Sequence, residues 1–361
     1  MDLNMINTPP TVHTANTPMP LPLKQDWTFD AIEKIYTLPF NDLIFNAHAV
    51  HIQHFTPNTV QISTLLSIKT GRCPEDCKYC PQSAHYNTGS PVEALMSIQT
   101  VIEKAKIAKD SGATRFCMGA AWRNPPKKDF PQVLEILKAV KSLGLETCMT
   151  LGMLDQEQAQ ALKEAGLDFY NHNIDTSEQY YEKIIGTREF QNRLITLQHV
   201  RDQGIAVCCG GIVGMGETRE DRLLFLQTLA NMPTHPQSVP INQLIPVPGT
   251  PLADSPALDP IEFVRTIATA RLLMPRSYVR LSAGRKNFSD ETHALCFFAG
   301  ANSIHYGDKL LVTPLPTTAA DRALFERLGI SPESPDQSIH ANTHPDIPSD
   351  RTHALTQSVA V

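Results

Sequence analysis

The chain has 361 residues, 42% of them hydrophobic and 19% charged, with a formal net charge of -6 and an isoelectric point near 6.1. That balance offers no basic face for a polyanion, which argues against nucleic acid as the main partner, and no apolar run approaches the roughly 18 residues needed to cross a bilayer. Eight cysteines in a chain of this length, several of them inside apolar strand-like runs, are not the dense disulfide framework of a small secreted domain, so reduced thiols in a cytoplasmic protein are expected.

Residues 1 to 26 are rich in Thr, Pro and Asn and lack the basic and apolar regions of a secretory signal, so a disordered N-terminal extension is expected there. An N-terminal helical layer follows over 27 to 54, then a first strand over 60 to 69. That strand runs into Gly71-Arg72-Cys73-Pro74-Glu75-Asp76-Cys77-Lys78-Tyr79-Cys80. Three thiols at this spacing, with no fourth nearby, fit a cluster with one iron left open, because a four-iron cluster normally takes four thiolates. A site with an open position serves chemistry rather than scaffolding. Two alternatives are a zinc site with a remote fourth ligand and a disulfide, but a zinc knuckle usually pairs its Cys-x2-Cys with a second pair, which is missing here.

From residue 97 onward one cadence recurs: a helical stretch, a glycine, then a short apolar strand. Its four instances are Ser111 to Cys117, Leu143 to Cys148, Ala165 to Asn171 and Gln203 to Cys208. Glycine just past a helix end takes the left-handed cap at little steric cost, and the β-branched or aromatic run after it fits a buried strand. Asp155 with Gln158 three residues on has the pattern of a capping box. Further strands are expected near 238 to 247, 277 to 283 and 301 to 306, with helices over 97 to 110, 217 to 231, 259 to 274 and 288 to 299. Eight strands in helical alternation predict an α/β fold of the (βα)8 TIM-barrel type spanning 27 to 330 as a single domain. An open doubly wound sheet would show fewer strands and a Gly-rich first turn, which is absent. From 331 to 361 the chain turns to Ser, Pro, His, Asp and Thr without apolar periodicity, and a disordered C-terminal tail is expected.

Alternate residues on a strand share a face. Parity therefore groups Arg115 with Cys117, Glu146 with Cys148 and Thr150, Cys208 with Gly210, Arg280 with Ser282, and Asn171 with Asn173 and Asp175, while Asn242 joins the polar set of its own strand. If these faces line the barrel, unpaired polar groups there would cost several kcal/mol each by transfer estimates, about 2–7, and a bound polar ligand or cluster would satisfy them. Taken singly, each of Cys117, Cys148 and Cys208 reads as a small buried hydrophobe. Their recurrence on three strands at matching depth is what argues for a site. Cys209 and Cys296 keep the packing reading, and His172 is expected as a hydrogen-bonded histidine in the helix-facing layer. Arg280 alone reads as an ion-pair partner, since guanidinium has no free lone pair for a metal. Gly210 to Glu217 is by itself only a glycine-rich strand-to-helix turn.

With the cysteine loop, Tyr79 before its last cysteine, and Gly211-Ile212-Val213-Gly214-Met215-Gly216-Glu217, the chain resembles the radical S-adenosylmethionine superfamily. The stretches Thr64 to Gly71, Arg115 to Trp122, Tyr170 to Thr176 and Tyr278 to Arg285 resemble motifs of its biotin synthase family. The resemblance covers roughly residues 27 to 330 and implies an enzyme, a sulfurtransferase, that inserts sulfur into dethiobiotin. It further implies a 4Fe-4S cluster on Cys73, Cys77 and Cys80, and a 2Fe-2S cluster on Cys117, Cys148, Cys208 and Arg280. Arg280 enters as a ligand, and Cys208 is chosen over Cys209, through this analogy only. S-adenosylmethionine is implied at the open iron, its adenine near Tyr79, Ala120 and Ile212 and its ribose near Asn173 and Asp175. Asn171, Asn173 and Asn242 are implied around the ureido group of dethiobiotin. A flavodoxin or ferredoxin type electron donor, iron-sulfur assembly proteins and a homodimer are expected on the same ground. The rivals are another radical S-adenosylmethionine enzyme of similar fold and, from a different class, an iron-sulfur electron carrier or zinc-binding module.

Overall fold

The computed structural model describes residues 23–307 and 309–334. Nine strand segments make one closed sheet: β1 (Thr59–Lys69), β2 (Arg115–Ala120), β3 (Glu146–Thr150), β4 (Phe169–Asn171), β5 (Ala206–Cys208), β6 (Gly211–Val213), β7 (Ser238–Gln243), β8 (Tyr278–Leu281) and β9 (Ser303–His305). The order runs β1-β2-β3-β4-β5-β7-β8-β9 with β9 returning to β1, and every pairing in it is parallel. β5 and β6 are one barrel strand interrupted at Cys209 and Gly210, and both halves pair with β7. The result is the expected eight-stranded barrel. Its strands are mostly shorter than the runs read from sequence, because polar residues at the C-terminal rim leave the sheet for loops.

The break in the fifth strand has a steric cause. A Cβ on Gly210 would lie 1.9 Å from Pro240 O on β7, so only glycine lets the two backbones approach there. Helices α1 (Phe29–Tyr36) and α2 (Phe40–His54) form the N-terminal layer. The outer ring comprises α3 (Ile98–Asp110), α4 (Phe130–Lys141), α5 (Gln156–Glu164), α6 (Glu178–Ile184), α7 (Phe190–Asp202), α8 (Arg219–Ala230), α9 (Pro260–Leu273), α10 (Asp290–Phe298) and α11 (Thr318–Leu328). The Asp155–Gln158 capping box is present at the start of α5, and Gly112, Gly144, Gly166 and Gly204 all take positive φ after their helices.

Apolar packing divides in two. The large core lies between sheet and helices and includes Cys209 and Cys296, as the packing reading has it. A small separate cluster inside the barrel holds Cys117, Cys148, Phe169 and Cys208. His172 is buried with its ring Nε2 unpartnered among the described residues, and it lines the interior cavity as well, where a place in the helix-facing layer was expected. The tail boundary also needs correction. Ser331–Pro332 forms β12, parallel to Thr59 and Val60 of β1, so the chain remains on the barrel where a tail was expected to begin. Lys24 and Gln25 likewise contact it, with Lys24 O 3.1 Å from His235 Nε2 and Gln25 Nε2 donating to Pro233 O at 2.8 Å. The rest of the two expected extensions lies outside the described residues. A hairpin of β10 (Lys309–Leu310) and β11 (Thr313–Pro314), not foreseen in the sequence, follows β9.

Candidate active site

The cysteine loop begins where β1 ends. Gly71 has φ +76°, and a Cβ there would sit 2.4 Å from Pro91 O, so the chain turns sharply at the barrel rim. The loop then fastens on itself: Cys73 N donates to Gln82 O at 2.8 Å, Ala84 N to Cys73 O at 2.7 Å and Cys80 N to Cys77 O at 2.9 Å. Its two acidic residues are held by partners from neighbouring loops. Glu75 pairs with Arg123 at 3.5 Å and Arg188 at 3.7 Å, and Asp76 accepts from Gly186 N and Thr187 N. Arg188 also reaches Cys77 Sγ from Nη2 at 3.8 Å.

Inside the barrel, register does the gathering. Leu65, Cys117, Cys148 and Phe169 are successive partners across β1 to β4, and Asn171 is the partner of Cys208. The Cys117, Cys148 and Cys208 thiols pack together in one small buried cluster. Closeness of the thiols to one another holds Cys148 well above the pKa of a free thiol and draws Cys117 well down and Cys208 to about 5, with the Arg280 charge adding to both falls. Arg280 completes the set from β8. Its Nε donates to Ser303 Oγ at 2.8 Å and its Nη2 to Gln61 Oε1 at 3.0 Å, leaving Nη1 3.9 Å from Cys208 Sγ.

Both thiol sets open on one cavity of about 310 Å³, and every site residue expected from the sequence lines it: Cys73, Cys77, Cys80, Tyr79, Ala120, Cys117, Cys148, Asn171, Asn173, Asp175, Cys208, Ile212, Asn242 and Arg280. The amide and carboxylate side chains among them are already engaged. Thr150 Oγ1 donates to Asn171 Oδ1 at 3.1 Å, and Asn171 Nδ2 donates to Cys208 Sγ at 3.2 Å. Asn173 Oδ1 accepts from Gly210 N at 3.1 Å. Asn242 accepts from Ala283 N and donates to Gly211 O, at 3.0 and 2.9 Å. Asp175, at φ +68°, accepts from the Tyr79 hydroxyl at 2.9 Å and from Arg193 Nη2. The glycine-rich stretch is partly strand, with Ile212 on the cavity wall, and partly a turn closed by Glu217, which accepts from Gly214 N and Met215 N at 2.8 and 2.7 Å.

The donor set fits two metal-sulfur groups. Burial pushes Cys77 to about 11 and Cys80 to about 12, so the loop thiols ionise at neutral pH only when cationic metal offsets that cost. Deeper in, Arg115 Nη1 and Nη2, Gln61 Nε2, Ser63 Oγ, Ser238 Oγ and His305 Nε2 are buried without partners, as donors around a sulfide-rich group would be. Among the described residues no three His, Cys, Asp or Glu side chains converge tightly enough to hold a single metal ion.

Several cavity residues escaped the sequence reading. Arg188, Arg193, His305 and the hairpin residues Leu310 to Thr313 carry no local motif. The hairpin packs into the mouth so closely that a Cβ on Gly119 would lie 2.9 Å from Leu311 Cδ2.

Comparison with known proteins agrees with this geometry. Residues 67–229 match the radical SAM superfamily, and residues 240–331 match the biotin and thiamin synthesis associated domain. The biotin synthase of Hahella chejuensis is 60% identical over 320 residues, covering 89% of this chain and 90% of its own length. That of Thioalkalivibrio sulfidiphilus is 62% identical over 322 residues, covering 89% and 95%. Among solved structures, methylornithine synthase (PylB) superposes with a TM-score of 0.74 at 20% identity, covering 87% of this chain and 96% of its own. The FeFe-hydrogenase maturase HydG from Carboxydothermus hydrogenoformans gives 0.74 at 14% identity, covering 86% and 77%. At such identities these two structures bear on the fold alone, and they share the barrel.

Proposed function

This chain belongs to the biotin synthase family, and on that premise we propose how its cavity divides the conversion of dethiobiotin to biotin between a site at the mouth and a site inside the barrel. Cys73, Cys77 and Cys80 would hold a 4Fe-4S cluster and leave one iron free for S-adenosylmethionine. Cys117, Cys148, Cys208 and Arg280 would hold a 2Fe-2S cluster. Bound there, the outer cluster would supply the electron for reductive cleavage of S-adenosylmethionine to methionine and a 5′-deoxyadenosyl radical, and the inner cluster would supply the sulfur for the thiophane ring.

The chain itself positions and encloses. Ala120 and Ile212 offer apolar walls for adenine beside Tyr79, whose hydroxyl is fixed on Asp175. Asn173 and Asp175 carry the acceptors for a ribose, and Asn171 and Asn242 have the donors and acceptors a ureido group needs. Because an alkyl radical attacks almost any nearby C–H bond, fixed geometry and exclusion of water decide the outcome. Trp122, Leu244 and the Leu310 to Thr313 hairpin provide the cover.

One observation carries this reading: two separate thiol sets, one on the rim loop and one on three barrel strands, share a single cavity. The proposal extends to a flavodoxin or ferredoxin type donor, iron-sulfur assembly proteins that rebuild the inner cluster, and a cytoplasmic homodimer. No helix among the described residues is long and apolar enough to cross a membrane. The test is anaerobic reconstitution with iron and sulfide, then reductant, S-adenosylmethionine and dethiobiotin. Both 5′-deoxyadenosine and biotin are expected; 5′-deoxyadenosine without biotin overturns the division. Cys77→Ala should abolish cleavage, whereas Cys148→Ala should keep part of it and make little biotin.

A further inference from the structure

Beyond α11 the chain turns back under the barrel. Ser331 and Pro332 pair with Thr59 and Val60, and Glu333 N donates to Val60 O at 2.9 Å. This brings the Glu333 carboxylate to the floor of the interior, where the Tyr278 hydroxyl donates to Oε1 at 2.7 Å and Oε2 is buried without a partner among the described residues. Tyr278 is itself fully buried and stands two residues before Arg280, on the same face of β8.

Arg115 stands on the same floor, two residues before Cys117. Glu146 holds its Nε, the Phe169 ring lies 3.5 Å beneath its guanidinium carbon, and both terminal nitrogens are buried and unpartnered. The same Phe169 ring packs with Cys117, Cys148 and Cys208. The Arg115 guanidinium and the Glu146 and Glu333 carboxyls thus belong to the buried layer next to the inner thiols. In a buried layer such charges are poorly screened, and charge and hydrogen bonding around a cluster set its potential.

We propose that Glu333 is a positioning residue of the inner site: through Tyr278 it fixes the polar floor beneath Cys117, Cys148, Cys208 and Arg280 and contributes to the charge felt by a cluster there. This rests on the reading of those four residues as cluster holders. The strap is therefore part of the redox environment and not merely the end of the fold.

Full-length Glu333→Gln keeps an acceptor for Tyr278 but removes the charge, while Glu333→Ala removes both. Each is reconstituted anaerobically beside the parent, and the inner-cluster absorption is followed in a spectroelectrochemical titration. Loss of a nearby negative charge favours the reduced state, so the inner midpoint rises in both variants by about a tenfold change in the one-electron equilibrium, about 59 mV, with the outer midpoint unmoved. A chelator strips inner iron from the Ala variant about tenfold faster than from the parent, and from the Gln variant at near the parental rate. An unmoved inner midpoint in the Gln variant overturns the inference and leaves the cluster reading intact. A parent that never forms an inner cluster removes both. If the Ala variant unfolds, the Gln midpoint alone decides.

Discussion

Asp76 is a direct handle on the outer site, because it ties the cysteine loop to the segment before α7. Its carboxylate accepts from Gly186 N at 2.9 and 3.1 Å, from Thr187 N at 3.0 Å and from Thr187 Oγ1 at 3.0 Å. Burial works to raise its pKa, yet these donors hold it below the ordinary carboxylate value. Hydrogen bonds to a charged group contribute about 1.5–3 kcal/mol each, but the site is half-exposed and the donors share one acceptor, so their sum is not additive. Asp76→Ala should therefore cost about 2–4 kcal/mol of loop closure, which at about 1.4 kcal/mol per decade makes the open loop about 30- to 700-fold more populated. The assay is trapping of outer-cluster iron by a chelator in reconstituted protein, paired with thermal unfolding of the apoprotein. Faster release with a small change in unfolding midpoint is expected, and Asp76→Asn should fall between parent and Ala. Parental release rates in Asp76→Ala would refute the clamp, and a large fall in unfolding midpoint without faster release would make Asp76 a residue of the general fold.

Cys208 and Cys209 are neighbours with opposite faces, so Cys208→Ala should lose the inner-cluster absorption whereas Cys209→Ala should keep it at a cost of about 1 kcal/mol in stability; the reverse pattern would place the ligand wrongly. Gly210→Ala forces a methyl against Pro240 O and should destabilise by about 3 kcal/mol or more, read as loss of soluble protein or a lowered unfolding midpoint; a parental midpoint would mean the strand break is not sterically required. Burial, with Arg285 adding to it, holds His293 at about 4 in the folded chain against about 6.5 unfolded. The unfolded chain takes up that proton first, so the contribution of His293 is full above about pH 6.5 and is lost as pH falls toward about 4, by at most about 1.4 kcal/mol per unit. Apoprotein melts across that window should show a shallower acid slope in His293→Asn, and identical slopes would refute the assignment.

The barrel was legible because its signals are local. A left-handed glycine after each of four helices, and strands that alternate polar and apolar residues, need only a few neighbouring residues to be read. Side-chain parity also placed Cys117, Cys148 and Cys208 together, since parallel register turns a shared position along separate strands into spatial contact. What stayed hidden depends on pairings distant in sequence. Tyr278 with Glu333 joins residues 55 apart, and Arg280 with Gln61 joins residues 219 apart. Neither partner carries a motif. The strap was hidden for a related reason: two bridged residues, one of them proline, make too short a run for any periodicity.

The arginines show most clearly where sequence reasoning stops. A guanidinium remains charged in a protein interior, so composition alone would send Arg115, Arg193 and Arg280 to the surface or to carboxylate partners. Arg193 does find one, Asp175, and Arg115 finds Glu146. Arg280 does not: its buried nitrogens meet a serine, a glutamine carbonyl and, at 3.9 Å, a thiol. A buried cation without a carboxylate is costly unless anionic groups supply the missing charge. Those groups are Cys117 and Cys208, whose ionisation the same cation favours. The thiols and Arg280 are thus each destabilising alone and compatible together, which is why the site can be read as a set but from no single member.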